Sequence, residues 1–326
     1  VNLLFLVNLC DKIRNDPKIN QEERPSIAEN ALSTTCPFYS SNQDNLTANP
    51  EDSLGLRFLI LLKRRLFVMQ IVNPERYQSL VAEAQTAGFS GWDFSWLEGR
   101  MLQEEPPWDY PEIIRSHIKS VQTLLDLGTG GGELLASLLP LPPQTHATEA
   151  YPPNQAIARK RLEPLGVTVH DVVDGEPLPF NEEVFDLVIS RHESFDPREV
   201  DRILKPDGTF IIQQVGGLNN LELNQVLEDD LTSPYSDWGL ASALTGLSEA
   251  DFLIERAEKA TLKSTFLDIG AIVYYLKAIP WQVEGFSPET HSEKLVQIHN
   301  IIERQGEFVA TAHRFLIIAK KKGVEA

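Results

Sequence analysis

The run Leu124-Leu125-Asp126-Leu127-Gly128-Thr129-Gly130-Gly131-Gly132-Glu133 constrains this chain more than any other stretch. Its apolar start reads as a buried strand, its glycine cluster as a tight turn, and the residues from Glu133 as the opening of a helix. In an open α/β sheet, a nucleotide-like ligand sits at such a junction, beyond the carboxyl end of the strand. Gly128 and Gly130 can take positive φ and let a ligand reach the backbone with no Cβ in the way, and Gly132 permits close packing of the next helix on the strand. Asp126 ends the strand as an acceptor beside the ligand. The same run would also suit a tight turn with no ligand, so the flanking sequence has to decide.

The spacing Asp-x-Gly-x-Gly-x-Gly separates two ligand classes. A dinucleotide fingerprint G-x-G-x-x-G requires glycine at position 133, where this chain has Glu133. A pyrophosphate at the helix N-terminus is a poor neighbour for Asp126 and Glu133. A cationic, phosphate-free ligand is a better one.

Strand-like and helix-like segments alternate through the rest of the chain, as a doubly wound sheet demands. Strands are expected at 122–127, 145–150, 167–173, 185–190, 209–215, 251–263 and 312–320. Helices are expected near 132–139, 153–163, 197–204, 238–249, 268–278 and 288–305. Upstream, Asn73-Pro74-Glu75 reads as an N-cap, a proline at N1 and a first-turn acid, opening a helix that ends near Gly88. A second helix is expected from Tyr110-Pro111 to about Ser120. The fold class implied is α/β and Rossmann-like, a doubly wound, mostly parallel seven-stranded sheet with an antiparallel last strand. An N-terminal helical cap over 71–120 precedes a catalytic domain over 121–326 that carries an insertion at about 265–307.

The first seventy residues read differently. Residues 11–53 are polar, rich in Asn, Pro and Ser, and follow neither period, which points to loop or disorder. Met69 stands immediately before the first well-patterned segment, so 1–70 reads as a poorly patterned leader or translated flanking sequence with the native start near Met69. The apolar stretch Leu54 to Val72 is interrupted by Arg57, Lys63, Arg64 and Arg65, too many charges for a membrane span. Val1 to Cys10 lacks the basic flank and cleavage site of a signal peptide. With Cys10 and Cys36 the only cysteines, neither a disulfide framework nor a zinc cluster is expected, which suits a reducing cytoplasm.

Composition narrows the partners. The 326 residues, 42% hydrophobic, are ample for one large α/β core with extensions. A net charge of -18, from 47 acids against 29 bases, argues against gripping a nucleic-acid backbone by counterion release. No metal motif is present, and His291 and His299, two turns apart on one expected helix, read as surface residues.

The candidate site residues follow the strands. Glu149 closes the second strand about twenty residues past the glycine loop, where a carboxylate can accept from both ribose hydroxyls of an adenosine. Arg191-His192-Glu193 directly follows the fourth strand. His192 has the pKa range of a general base, with Glu193 to orient it and Arg191 to hold an anionic substrate or line the cofactor pocket. Gln213 and Gln214 are a polar pair on the fifth strand of which alternation sends only one to a given face. Trp96, Trp108 and Tyr110 in the cap can face a cation through their rings or simply join the cap to the sheet.

Five segments in order over roughly 121–215 carry a family resemblance: the glycine loop, Thr148-Glu149-Ala150, Val173-Asp174-Gly175-Glu176-Pro177-Leu178-Pro179-Phe180, Phe185-Asp186-Leu187-Val188, and Val200 to Gly208. Together they resemble class I S-adenosylmethionine-dependent methyltransferases with a type 11-like domain. The resemblance implies S-adenosylmethionine as cofactor, held by Asp126, Gly128, Thr129, Gly130, Glu149, Ala150, Asp174, Gly175 and Arg191. It makes Asp174, rather than Asp171, the acceptor for the adenine amine. Catalysis would fall to His192, Arg191 and Glu193, and the acceptor side to Trp96, Trp108, Tyr110 and Gln214. The implied activity is in-line methyl transfer to a small-molecule acceptor, with no metal, membrane or nucleic-acid partner. An RNA methyltransferase and a non-catalytic S-adenosylmethionine-binding module are the alternatives. Nothing in the sequence sets the acceptor's identity or an oligomeric state.

Overall fold

The structure, a computed structural model, describes residues 71–229 and 235–323. The expected leader at 1–70 and the start near Met69 lie outside the described residues. The chain opens with α1 (Pro74–Thr86), β1 (Met101–Gln103) and α2 (Tyr110–Ile118). It continues through β2 (Thr123–Leu127), α3 (Glu133–Ser137), β3 (Gln144–Glu149), α4 (Pro152–Leu162) and β4 (Thr168–Asp171). Next come β5 (Phe185–Arg191), α5 (Pro197–Ile203), β6 (Leu204–Val215), α6 (Leu221–Leu227) and α7 (Leu240–Glu249). The last elements are β7 (Phe252–Phe266), α8 (Ile269–Ala278), α9 (Ser292–Gln305) and β8 (Phe308–Lys321).

The strands form one eight-stranded sheet in the order β1-β7-β8-β6-β5-β2-β3-β4. From β4 to β6 every pairing is parallel. β8 runs antiparallel between β6 and β7, as expected for the last strand, and β1 adds an antiparallel edge. β1 is the departure from the expected seven strands. At three residues it is too short to show a period, and it becomes a strand only through its register with Ser264 to Phe266. The winding reverses between β2 and β5, a topological switch that opens a crevice at the carboxyl end of β2.

Three cores hold these elements. On one face of the sheet, Leu124, Leu187, Ile189, Ile211 and Leu316 pack under α2, α3 and α4 through Ile114, Leu135 and Leu162. On the other face, Val188, Phe210, Ile212 and Ile317 meet α5 and α7 through Ile203 and Leu247. A third core gathers Ala84 of α1, Leu223 of α6, residues 269 and 271–276 of α8, and Leu295 and Ile298 of α9 against Phe266, Phe308 and Ala310. The segment 71–120 is therefore divided. α1 packs with α8, whereas α2 belongs to the sheet's own core.

Local chemistry differs from expectation at several points. Asn73 precedes α1 in a left-handed conformation (φ 51°) and its side chain makes no capping bond; its amide is turned toward Glu303. Asp109 does cap α2, accepting from the Glu112 N–H at 2.9 Å. α6 was not foreseen, since seven residues carry less than two turns of period. His299 is buried, not on the surface: its Nε2 lies 2.7 Å from the Val72 carbonyl. His291 is half-buried, with its Nδ1 held beside Thr290 and the Ser287 carbonyl. A single-residue apolar spacing on a helix does not reveal which neighbouring element will cover it.

Candidate active site

The glycine loop adopts the conformations its glycines allow. Gly128, Gly130 and Gly132 have φ of 71°, 63° and 80°, all in the left-handed region. A Cβ on Gly132 would lie 2.7 Å from Leu162 Cγ, so the close approach it permits is that of α4 rather than of β2. The loop is tied to β3 by two bonds, from the Thr129 N–H to the Thr148 carbonyl at 2.8 Å and from the Gly128 N–H to Thr148 Oγ1 at 3.2 Å.

Two carboxylates anchor the site. Asp126 is 3% exposed, and its Oδ2 accepts from Thr129 Oγ1 at 2.6 Å. Desolvation lifts its carboxyl to about 6, with the Thr129 bond and the Arg191 charge pulling the other way. Glu149 holds both ends of the crevice, accepting the Gly130 N–H at 2.7 Å on Oε2 and the Tyr151 N–H at 2.8 Å on Oε1. Burial raises its pKa, and the charges of Glu193 and Asp174 add to the rise. Asp174 is exposed and close enough to bear on both glutamates, while Gly175 beside it takes φ 80°. Asp171 is instead paired with Arg159 at 2.7 Å. Ala150 is half-buried next to Glu149.

The residues after β5 do not form the His-Glu pair expected from their order. His192 stands in the left-handed region (φ 64°), which sends its neighbours in opposite directions. Glu193 folds back onto its own turn, accepting the Ser194 N–H at 3.0 Å, and its side chain lies directly against Gly128. His192 meets Gln213 instead, with Nε2 3.4 Å from the Gln213 amide nitrogen. The Trp108 indole N–H donates to Gln213 Oε1 at 2.7 Å. Because indole only donates, this bond fixes the amide's orientation and presents the Gln213 NH₂ to His192, whose Nε2 must then be the unprotonated nitrogen. His192 reaches solvent on one side. Burial on the others, with the charges of Arg314 and Arg191, holds its pKa well below the ordinary imidazole range, so it is neutral at pH 7.

Of the acceptor-side candidates, Trp108 and Tyr110 reach the site and Trp96 does not. The Tyr110 hydroxyl donates to the Ser190 carbonyl at 2.8 Å, bridging α2 to the end of β5. Trp96 stacks on Tyr274 with ring centroids 4.5 Å apart, and the Arg100 guanidinium covers it at 3.8 Å. Gln214 faces away from Gln213 and donates to the Glu193 carbonyl at 2.6 Å. Strand register explains the exchange: Gln213, not Gln214, sits opposite Arg191. Trp92 was overlooked among the cap's aromatics. A Cβ on Gly130 would fall 2.6 Å from its Cδ1, so the indole lies on the loop. Asn154 was also missed: it is wholly buried in the first turn of α4, and neither of its amide atoms has a hydrogen-bond partner.

Residues 125–212 match the family described as a methyltransferase domain. No curated protein sequence matches the chain. Among solved structures, a protein of Bacillus halodurans C-125 whose assignment as a methyltransferase is provisional aligns with a TM-score of 0.50 at 19% identity, covering 66% of this chain and 99% of its own. The YcgJ protein of Bacillus subtilis aligns with a TM-score of 0.46 at 15% identity, covering 65% of this chain and 98% of its own. Among the described residues no group of three His, Cys, Asp or Glu side chains suits a metal ion, and no helix is long and apolar enough to cross a membrane. Residues 125–212, from β2 into β6, thus match a methyltransferase domain, set in a doubly wound, Rossmann-like sheet.

Proposed function

We propose that the protein transfers a methyl group from S-adenosylmethionine to a small-molecule acceptor. The observation that carries this reading is the convergence of acids on the glycine loop: Glu149 accepts from the Gly130 N–H, the Glu193 side chain lies against Gly128, and the charge of Asp174 bears on both glutamates. Three acids at this crevice oppose a pyrophosphate and favour a cationic nucleoside.

On this reading Glu149 accepts from the ribose, Asp174 from the adenine amine, and Asp126 with the turn Gly128-Thr129-Gly130 takes the amino acid end. Ala150 and Gly175 border the base. When bound, the cofactor supplies a methyl group already activated on sulfur, so the protein's part is placement, exclusion of water and removal of an acceptor proton. His192 is suited to the last of these through its Nε2 lone pair, and Trp108 and Gln213 set its tautomer. Glu193 caps Gly128 and does not orient His192.

Calorimetry with S-adenosylmethionine, S-adenosylhomocysteine and NAD tests the cofactor. Micromolar binding of the first two and none of NAD is expected, and binding of NAD alone would overturn the reading. His192→Gln should leave cofactor binding within twofold while slowing transfer; loss of both together would assign His192 to the cofactor pocket.

A further inference from the structure

Four side chains form a row along one face of the sheet at the carboxyl ends of its strands. Asp126 of β2 is in register with Ile189 of β5, Arg191 lies two residues beyond Ile189, and Gln213 of β6 is opposite Arg191. Arg314 of β8 is opposite Val215, two residues beyond Gln213. Residues two apart on a strand, and partners across a ladder, share a face. This is the face covered by Trp108, Tyr110 and α2.

The row is acidic at one end and cationic at the other. Arg314 is half-buried, and burial together with the Arg191 charge lowers its pKa against the influence of Tyr275 and Glu105. Its hydrogen bonds go to neutral groups only: Asn219 Oδ1 at 2.6 Å, the His313 carbonyl at 2.9 Å and Gln103 Oε1 at 3.2 Å. Two of its five N–H groups remain free of protein partners among the described residues. Arg191 is exposed and, among the described residues, its guanidinium has no hydrogen bond or ion pair. Asp126 bears on Arg191 and Glu105 on Arg314, but neither carboxylate comes within ion-pair distance. Two guanidiniums without an ion pair among the described residues thus lie close enough to bear on His192, in a protein of net charge -18. For the half-buried Arg314 a missing counter-charge is costly, and an anionic ligand reduces that cost, with the exposed Arg191 adding a second cation beside it.

We propose that the methyl acceptor carries an anionic group, a carboxylate or a phosphate, bound between Arg314 and Arg191 beside His192. The inference rests on the methyltransferase reading above. Planar guanidiniums match both oxyanions through paired N–H donors. Asn219, buried in the turn after β6, and Gln103 of β1 orient Arg314, which itself stands on β8.

The test uses the intact protein saturated with S-adenosylhomocysteine and titrated with inorganic phosphate or acetate at pH 7.5, reading the His192 imidazole resonances by NMR and the heat by calorimetry. Saturable binding of at least one anion is expected, with a shift at His192 and at least tenfold weaker binding in Arg314→Gln. Arg191→Gln should weaken binding similarly, and as an exposed residue with no bond to lose it keeps the test valid if Arg314→Gln fails to fold. Absence of binding by both anions, equal binding in Arg191→Gln, or displacement of S-adenosylhomocysteine by the anion would overturn the proposal, the last by assigning the arginines to the cofactor's carboxylate. Failure of S-adenosylhomocysteine to bind at all, seen in the preceding titration, would instead strike the methyltransferase reading.

Discussion

Asp126→Asn should make the protein more stable at neutral pH while damaging its site. The carboxyl is almost wholly buried, and its pKa rises from an ordinary 3.8 to about 6 in the folded state. At about 1.4 kcal/mol per tenfold change in proton affinity, that rise amounts to about 3 kcal/mol of penalty for the ionised form. Because the folded pKa lies above the unfolded one, the native state binds more protons between pH 4 and 6. The favourable protonated state is therefore fully present below about pH 4 and is lost as pH rises through 6. Asparagine keeps the shape and can still accept from Thr129 Oγ1, but it does not titrate. Urea unfolding of both proteins from pH 4.5 to 8 measures the difference. The variant should gain on the parent progressively, approaching about 3 kcal/mol near pH 8 as an upper bound. Any offset from the new amide's own hydrogen bonding is independent of pH, so the pH-dependent part is the quantity read. A flat difference across the range would refute the argument. S-adenosylmethionine affinity should fall at least tenfold in the same variant.

Four further outcomes are expected. Although burial opposes its ionisation, Asp186 is brought to about 2 by Lys205, Thr123 and the N–H groups of Gln122 and Thr123. Asp186→Asn should therefore cost about 2 kcal/mol at pH 7, a loss that fades as pH falls from 4 toward 2, read by denaturation. Gly132→Ala should lower stability by about 1–3 kcal/mol, because positive φ and the Leu162 contact both resist a Cβ; an unchanged melting temperature would contradict this. Trp108→Phe should leave Gln213 Oε1 without its donor, costing about 1–3 kcal/mol and perturbing the His192 resonances. S-adenosylmethionine should change tryptophan fluorescence as it reaches the glycine loop, and Trp92→Phe should abolish most of that change.

The parallel half of the sheet was legible because each of its strands pairs with neighbours reached through a short crossover, and a buried strand followed by a glycine turn or an amphipathic helix is a local signal. Glu149 and Asp126 could be placed for the same reason, each lying at a strand end beside the glycine turn. What was not legible depends on contacts between distant segments. Gln213 rather than Gln214 faces the site because of its register with Arg191, and Trp96 is occupied by Arg100 and Tyr274, a residue nearly 180 positions away. Arg314 sits in an ordinary-looking strand, and only the antiparallel return of β8 beside β6 brings it to the crevice. His192 and Glu193 are adjacent in sequence, which invited a pairing that the left-handed turn between them prevents.

The third core is separate from the two that flank the parallel strands. β7 past Ala260 and β8 before Arg314 extend beyond the end of β6, and there they meet α1, α6, α8 and α9 rather than the helices flanking the sheet. These helices thus have an apolar interior of their own, joined to the sheet through Phe266, Phe308 and Ala310. Replacement of these helices by a differently shaped helical module would leave the packing beneath the glycine loop untouched. On the proposed function, the half of the crevice that holds the cofactor is fixed by the central sheet, whereas the half assigned to the acceptor can vary with the helices of the third core.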